Sequence, residues 1–333
     1  MEQTVRIKAV GLLSGGLDSS LALRIVRDQG VDVTAVNFTG PFGGCIEARD
    51  SSARKVAASL EIPLEVIELG EEYLEIVKSP RHGYGSNVNP CIDCHIYMLL
   101  GAKAVMDRIG GSFLITGEVL GQRPMSQRLD TLKRIEKVSG LRGLILRPLS
   151  ARLLDETLPE TKGWVRREDM RAVSGRSRRE QMMLAEEMGL TGYSSPAGGC
   201  LLTDPRFAVR VRDLLAHGSL TLPEVKLLRL GRHFRLPGGA KLVVGRKQAE
   251  NRDLAALATP DRVLLVTEDC PGPTAVITGP AGCEDVDLGA RVVARYSDGR
   301  GVGRVRVGVV SGGARRTVVV EPADPGEVER LMI

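Results

Sequence analysis

Apolar and polar positions follow two rhythms along the first 150 residues. Short runs rich in aliphatic and β-branched residues at 6–13, 33–38, 64–68, 112–116 and 144–147 read as strands. Segments with apolar residues three and four apart, at 19–29, 47–60, 94–109 and 124–138, read as helices. Strand and helix in alternation predict an α/β domain, a doubly wound parallel sheet whose ligands bind at the carboxyl ends of the strands. Residues 71–93 break the rhythm with Pro80, Gly83, Gly85, Asn89 and Pro90. A loop this long inside a domain reads as functional or mobile. Residues 151–200 are mainly helical and charged, and from about 203 short helices and strands mix, with a β-rich portion at 290–321. The expected division is 1–160 for the α/β domain, 161–202 for a helical connector and 203–333 for an α+β C-terminal domain. Gly299–Arg304 carries a glycine pattern with no helix after it and reads as a hairpin turn.

The first strand runs into Ser14-Gly15-Gly16-Leu17-Asp18-Ser19-Ser20, and an apolar-periodic segment leaves it. The amides of a helix's first turn lack internal partners and the dipole there favours negative charge, so such a turn is a ready anion site. Gly15 and Gly16 let backbone approach a phosphate, and Ser14, Ser19 and Ser20 add hydroxyls. Asp18, a carboxylate among phosphates, suits a bound Mg²⁺. No Lys follows the glycines, which excludes the GxxxxGK[ST] loop. The segment resembles the pyrophosphate loop of ATP pyrophosphatases, the adenine nucleotide alpha hydrolase-like fold, which cleave ATP to AMP and pyrophosphate to adenylate an oxygen. Asn37 and Phe38, after the second strand, either contact the adenine or cap the strand.

Composition narrows the classes. A net charge of +5 with 46 Lys and Arg is mildly basic and compatible with nucleic acid. Aromatic content of 3% argues against many base-stacking platforms. Nowhere do about 18 apolar residues run together, so no membrane helix is expected, and the N-terminus has no signal-peptide layout. A cytoplasmic location is expected, and there the six cysteines read as thiols or metal ligands rather than disulfides. Arg166, Arg167, Arg171, Arg176, Arg178 and Arg179 crowd one stretch, as a solvated helical face or as a contact to an RNA backbone.

Cys91-x-x-Cys94 places two thiols on one turn, and Cys200, beside two glycines, is the natural third partner. Cys45 lies in the loop after the second strand, on the same expected side. Three readings stand: a [4Fe–4S] cluster on Cys91, Cys94 and Cys200 with one open iron that could bind an extra sulfide; a redox or persulfide pair; and a structural zinc with Cys45 or His95 as fourth ligand. Cys91-x-x-Cys94-His95 also matches the c-type haem pattern, but such attachment belongs to exported proteins.

Thr116-Gly117-Glu118-Val119-Leu120-Gly121-Gln122-Arg123-Pro124-Met125-Ser126-Gln127, followed by Ile145-Leu146-Arg147-Pro148-Leu149 and Asp155-Glu156, resembles the corresponding segments of tRNA 4-thiouridine synthetases. With the first loop this likeness covers about residues 5–160. It implies ATP and Mg²⁺ as cofactors, tRNA as partner, and a sulfur donor, either sulfide or a persulfide-carrying protein. That family has a THUMP region that grips tRNA, and some members carry a rhodanese-like domain; neither is expected here. Related 2-thiolation enzymes hold a three-cysteine [4Fe–4S] cluster, and Cys91, Cys94 and Cys200 fit that layout. Gly238–Asn251 resembles the RNA-binding domain of the NFACT family, which would replace THUMP.

The resulting expectation is an ATP-dependent tRNA sulfurtransferase. The Ser14–Ser19 loop holds the phosphates, Asp18 holds Mg²⁺, and Gly117, Glu118, Gln122, Arg123 and Ser126 line the nucleotide or base pocket. A base carbonyl is adenylated, and sulfur from such a cluster, or a persulfide on Cys91, Cys94, Cys200 or Cys45, displaces AMP. For Glu118 and Gln122, helix capping is the competing role. Alternatives are sulfur transfer or amidation on a small molecule, and an RNA-binding module with a vestigial nucleotide domain. The oligomeric state is left open, a homodimer included.

Overall fold

A computed structural model describes residues 6–43, 52–194, 200–301 and 303–333. Cys45 and the residues just before Cys200 lie outside the described residues. The chain divides into two compact units, Met1–Thr203 and Asp204–Ile333.

In the first unit the described strands are β1 (Lys8–Leu12), β2 (Asp32–Thr39), β3 (Leu64–Glu68), β4 (Phe113–Ile115) and β5 (Ile145–Leu146). All pair in parallel in the order β3-β2-β1-β4-β5. The helices are α1 (Leu17–Arg27), α2 (Ser52–Ser59), α3 (Glu71–Lys78), α4 (Cys91–Ile109), α5 (Leu129–Ser139), α6 (Leu158–Thr161) and α7 (Arg179–Glu187). Because strand side chains alternate between faces, the sheet feeds two cores. Ala9, Val33, Ala35, Phe113 and Ile115 pack with Leu21, Val26 and Val56 of α1 and α2. Val10, Val36, Leu114 and Ile145 pack with Leu99, Val105 and Ile135 of α4 and α5. This is a doubly wound α/β fold, and the strand order reverses between β1 and β4, where such sheets open a ligand crevice.

The segment 161–202 is part of this unit. Val165, Met170, Val173, Leu184, Ala185 and Leu190 join the same core as α1. Helix α4 begins at Cys91, three residues earlier than the periodicity predicts, because Pro90 suits the position before a helix and both cysteines are accommodated in its first turn.

The second unit holds an antiparallel sheet in the order β11-β10-β8-β9-β7-β6. Its strands are β6 (Arg232–Arg235), β7 (Lys241–Val244), β8 (Val263–Thr267), β9 (Thr274–Thr278), β10 (Val305–Ser311) and β11 (Ala314–Val320). Its helices are α8 (Pro205–His217), α9 (Leu222–Leu228), α10 (Gln248–Ala256), α11 (Cys283–Arg295) and α12 (Pro325–Leu331). Leu242, Val244 and Ile277 pack on α11, whereas Val243 and Val276 pack on Leu227 and Leu254 of α9 and α10. Two details differ from the sequence reading. Residues 290–295 finish α11, whose apolar positions recur at helical spacing, so the β-rich portion starts at Val305. The hairpin turn joins β10 and β11 at Gly312-Gly313, both at positive φ, whereas Gly299 and Gly301 lie in a short 3₁₀ turn, Asp298–Gly301, after α11.

Candidate ATP and cysteine sites

The loop between β1 and α1 is built by its small residues. Gly15 takes φ +78°, and a Cβ there would stand 2.4 Å from the Ala53 amide nitrogen at the start of α2. Gly16 caps α1 with no side-chain hydrogen bond. The Ser19 and Ser20 hydroxyls donate back to the Gly16 carbonyl at 3.0 and 2.8 Å, and the Ser14 and Ser19 hydroxyls lie 3.1 Å apart. The loop is braced from two sides. Asn37 donates its amide to the Leu13 carbonyl at 2.7 Å, and the Ser194 amide donates to the Gly15 carbonyl at 2.8 Å. Asn37 thereby holds the loop from the side of β2. The Phe38 ring lies against α4, where a Cβ on Gly101 would stand 2.9 Å from it.

Asp18 sits in the first turn of α1. Its Oδ2 accepts from Gln122 Nε2 at 3.1 Å and lies 3.5 Å from Arg178 Nη2. Its Oδ1 is buried with no hydrogen-bond partner. An orphaned, buried carboxylate oxygen over a glycine turn and a helix N-terminus matches the one-carboxylate-plus-phosphates way in which Mg²⁺ is held.

The 116–127 segment follows β4 and touches the loop directly. A Cβ on Gly117 would stand 2.4 Å from the Ser19 amide nitrogen, so only glycine allows this approach. Glu118 points elsewhere. Its carboxylate accepts from His95 Nδ1 at 3.1 Å, Thr116 Oγ1 at 3.1 Å and Arg147 Nε at 2.9 Å. Arg147 also pairs with Glu136. Burial by itself would raise the Glu118 carboxyl, but Arg147 and His95 outweigh it and hold it at about 2. Glu118 is thus the centre of a buried ionic lock tying β4 to α4, α5 and the end of β5. The turn 121–127 closes on itself, the Gly121 amide donating to the Gln127 carbonyl at 2.7 Å. Ser126 is buried with its hydroxyl unpartnered, and Arg123 is exposed.

The cysteine site forms where 200–203 is stitched to the 79–90 loop. The Val88 amide donates to the Leu202 carbonyl at 3.2 Å and Asn87 Nδ2 to the Thr203 carbonyl at 2.8 Å. This brings Cys200 beside Cys91 and Cys94, close enough for the three thiols to feel one another's charge. Burial pushes all three thiols up, Cys94 to about 12, and the Arg123 guanidinium opposes this at each. Tyr73 donates to Cys94 Sγ at 3.3 Å. Among the described residues no three His, Cys, Asp or Glu side chains gather closely enough to hold a metal ion. His95, offered by the sequence as a zinc ligand, is hydrogen-bonded to Glu118.

Three contributors carried no sequence signal of their own. Arg178 was hidden in an arginine run, Ser194 reaches the loop across 179 residues, and Tyr73 lies on α3. No helix among the described residues is long and apolar enough to cross a membrane.

Residues 4–155 match the family described as thiamine biosynthesis protein (ThiI), and residues 231–332 match the NFACT protein RNA binding domain. The tRNA-specific 2-thiouridylase MnmA of Syntrophotalea carbinolica is 37% identical over 114 residues, 32% of each chain. The enzyme of the same name from Dehalococcoides mccartyi is 32% identical over 117 residues, again 32% of each. The chain thus spans about a third of the length of these curated relatives. A crystal structure of a 4-thiouridine synthetase–RNA complex with bound ATP is 22% identical, with a TM-score of 0.38, over 66% of this chain and 52% of the other. The first unit is thus similar to the ThiI family and the second to the NFACT RNA binding domain, each over less than half of the chain.

Proposed function

We propose that the protein is an ATP-dependent tRNA sulfurtransferase, which adenylates a base carbonyl and replaces its oxygen with sulfur. The observation that carries this reading is that the 116–127 segment touches the glycine loop at Gly117 and Gln122 and carries, in Arg123, a cation whose charge reaches the three cysteines. The Gln122 contact is to Asp18, and the Arg123 charge opposes the burial that pushes the thiols of Cys91, Cys94 and Cys200 up. An activation site and a sulfur site that share one short turn suit a two-step exchange on one base. The similarity to tRNA-specific 2-thiouridylases supports the same reaction class.

The loop amides and the Ser14 and Ser19 hydroxyls would bind the ATP phosphates. Mg²⁺, held by Asp18 and the phosphates, would neutralise the departing pyrophosphate. The carbonyl oxygen of the base attacks the α-phosphorus, a P–O bond forms, and the bond to the β-phosphate bridge breaks. Hydrosulfide then adds to the activated carbon, the C–O bond breaks, AMP leaves and the sulfur loses its proton. No electrons are exchanged in either step. Cys91, Cys94 and Cys200 would hold a [4Fe–4S] cluster, whose open iron supplies a docking point for sulfide. As cluster ligands the three would be thiolates, whose negative charge the exposed Arg123 would offset.

The test is anaerobic purification with iron and sulfide analysis, joined to mass spectrometry of thionucleosides formed from tRNA, ATP and sulfide. A cluster-bearing protein that forms a thionucleoside only with ATP is expected. A protein without iron after anaerobic reconstitution would overturn the cluster, and a protein forming no thionucleoside would overturn the reaction.

A further inference from the structure

The first unit has a cavity of about 600 Å³ away from the loop, lined by His82, Asp130, Lys133, Arg134, Lys137 and Val138. Five of these residues are spaced i, i+3, i+4, i+7 and i+8 on α5, so they form one face of that helix. The opposite face carries the buried Leu132 and Ile135. Three cations against one carboxylate make the face basic. Lys133 makes a surface pair with Asp155 at 2.9 Å, the two side chains 57% and 84% exposed. Such a pair is weak and is readily exchanged for another anion. Arg134 and Lys137 have no ion-pair partner among the described residues.

The far wall connects this face to the cysteines. His82 donates its backbone amide to Asp93 Oδ2 at 2.9 Å, and its Nδ1 lies 2.8 Å from Asp93 Oδ1. Asp93 stands between Cys91 and Cys94 in the first turn of α4. The rim of the cavity is therefore fastened to the turn that carries the thiols.

We propose that this face of α5 is a phosphate-backbone contact for RNA on the ATP-cleaving unit itself, leading the acceptor strand toward the cysteine site. The proposal rests on the tRNA reading above and adds to it a surface outside the NFACT-like domain. An RNA backbone is favoured over an acidic peptide because the same chain carries a match to an RNA-binding family and because cations on successive turns suit a regular row of phosphates.

The experiment uses the full chain and an unmodified tRNA transcript, with affinity measured from low to high salt. Arg134→Ala/Lys137→Ala should weaken binding at least tenfold and reduce the magnitude of the log–log salt slope by about 1.4–1.8, the share of two phosphate contacts. Lys103→Ala/Lys162→Ala removes the same charge outside the cavity and should leave the slope unchanged. A thermal melt shows that each variant is folded, and Arg134→Lys/Lys137→Arg should restore binding. Equal loss in both alanine pairs, or no loss in the first, overturns the surface while leaving the tRNA reading standing. Displacement of the tRNA from this face by polyglutamate of matched charge, with no change in slope on mutation, also overturns it in favour of an acidic protein partner. A wild-type chain that binds no tRNA overturns both proposals.

Discussion

Gln122 Nε2 donates to Asp18 Oδ2 at 3.1 Å, joining the turn after β4 to the first turn of α1 across 104 residues. The bond occupies one oxygen of Asp18 and aims the carboxylate, leaving Oδ1 without a partner. Two groups at the crevice between β1 and β4 are thus set against each other before any ligand arrives. Asp18→Asn should reduce ATP–pyrophosphate exchange by on the order of 10³, the loss expected when several kcal/mol of metal-borne charge stabilisation goes. Gln122→Ala should cost less, roughly tenfold, because it loosens the carboxylate without removing it. Equal losses in the two variants would contradict this division of roles.

Gly117 carries a different kind of constraint. Its missing side chain is what allows the backbone after β4 to lie against Asp18 and Ser19, with a Cβ only 2.4 Å from backbone nitrogen. Gly117→Ala must push one backbone off the other. It should lower stability by about 1–3 kcal/mol, as overpacking does. ATP–pyrophosphate exchange should fall at least tenfold in protein that still melts cooperatively. Gly282→Ala is the matched control, since its φ of −76° suits any residue and a Cβ there meets nothing within 4 Å. It should leave exchange unchanged and, as the cap residue of α11, cost no more than about 1 kcal/mol of stability.

The Glu118–Arg147 lock makes a pH prediction. The carboxyl ordinarily titrates at 4.5 and in the folded chain at about 2. A lowered folded value means that the group's contribution is complete above about 4.5 and is lost as pH falls from there toward 2. Glu118→Gln should cost about 3 kcal/mol at neutral pH, since it leaves Arg147 buried with one carboxylate fewer. The difference between wild type and variant should shrink as denaturation is measured at successively lower pH between 6 and 3. A gap that does not change with pH would show that the loss is one of packing, not of charge.

The sheet and the loop were legible because their signals are local. Strand runs are short and aliphatic, and glycines, serines and one aspartate at a strand end have few other physical reasons to occur together. The role of Glu118 was not legible. Its position in a motif suggested a pocket residue, whereas its partners His95 and Arg147 lie 23 and 29 residues away and only the folded sheet brings them in. The bond that Asn37 makes was not legible for the same reason: its neighbours in sequence say nothing of the Leu13 carbonyl it holds. The cysteine site was half legible. Cys91 and Cys94 announce themselves by spacing, but the stitching of Val88 to Leu202 that delivers Cys200 is a backbone event with no side-chain pattern.

Arg178 separates two readings of the arginine run at 166–179. By sequence it belongs with a solvated or RNA-facing surface. In the fold it stands at the start of α7, 3.5 Å from Asp18, on a segment anchored by a backbone bridge between Leu120 and Ser174 and another between Gly16 and Ser194. A guanidinium tied into the phosphate loop in this way should meet charge on ATP rather than on RNA. Arg178→Ala should lower kcat/KM for ATP–pyrophosphate exchange by about 10- to 100-fold, the worth of one charge-assisted hydrogen bond of 1.5–3 kcal/mol. Arg178→Lys should recover part of this, since Lys keeps the charge but loses the fork. Affinity for tRNA and its salt slope should stay within about twofold of wild type. A variant with intact exchange and weakened tRNA binding would return Arg178 to the RNA face.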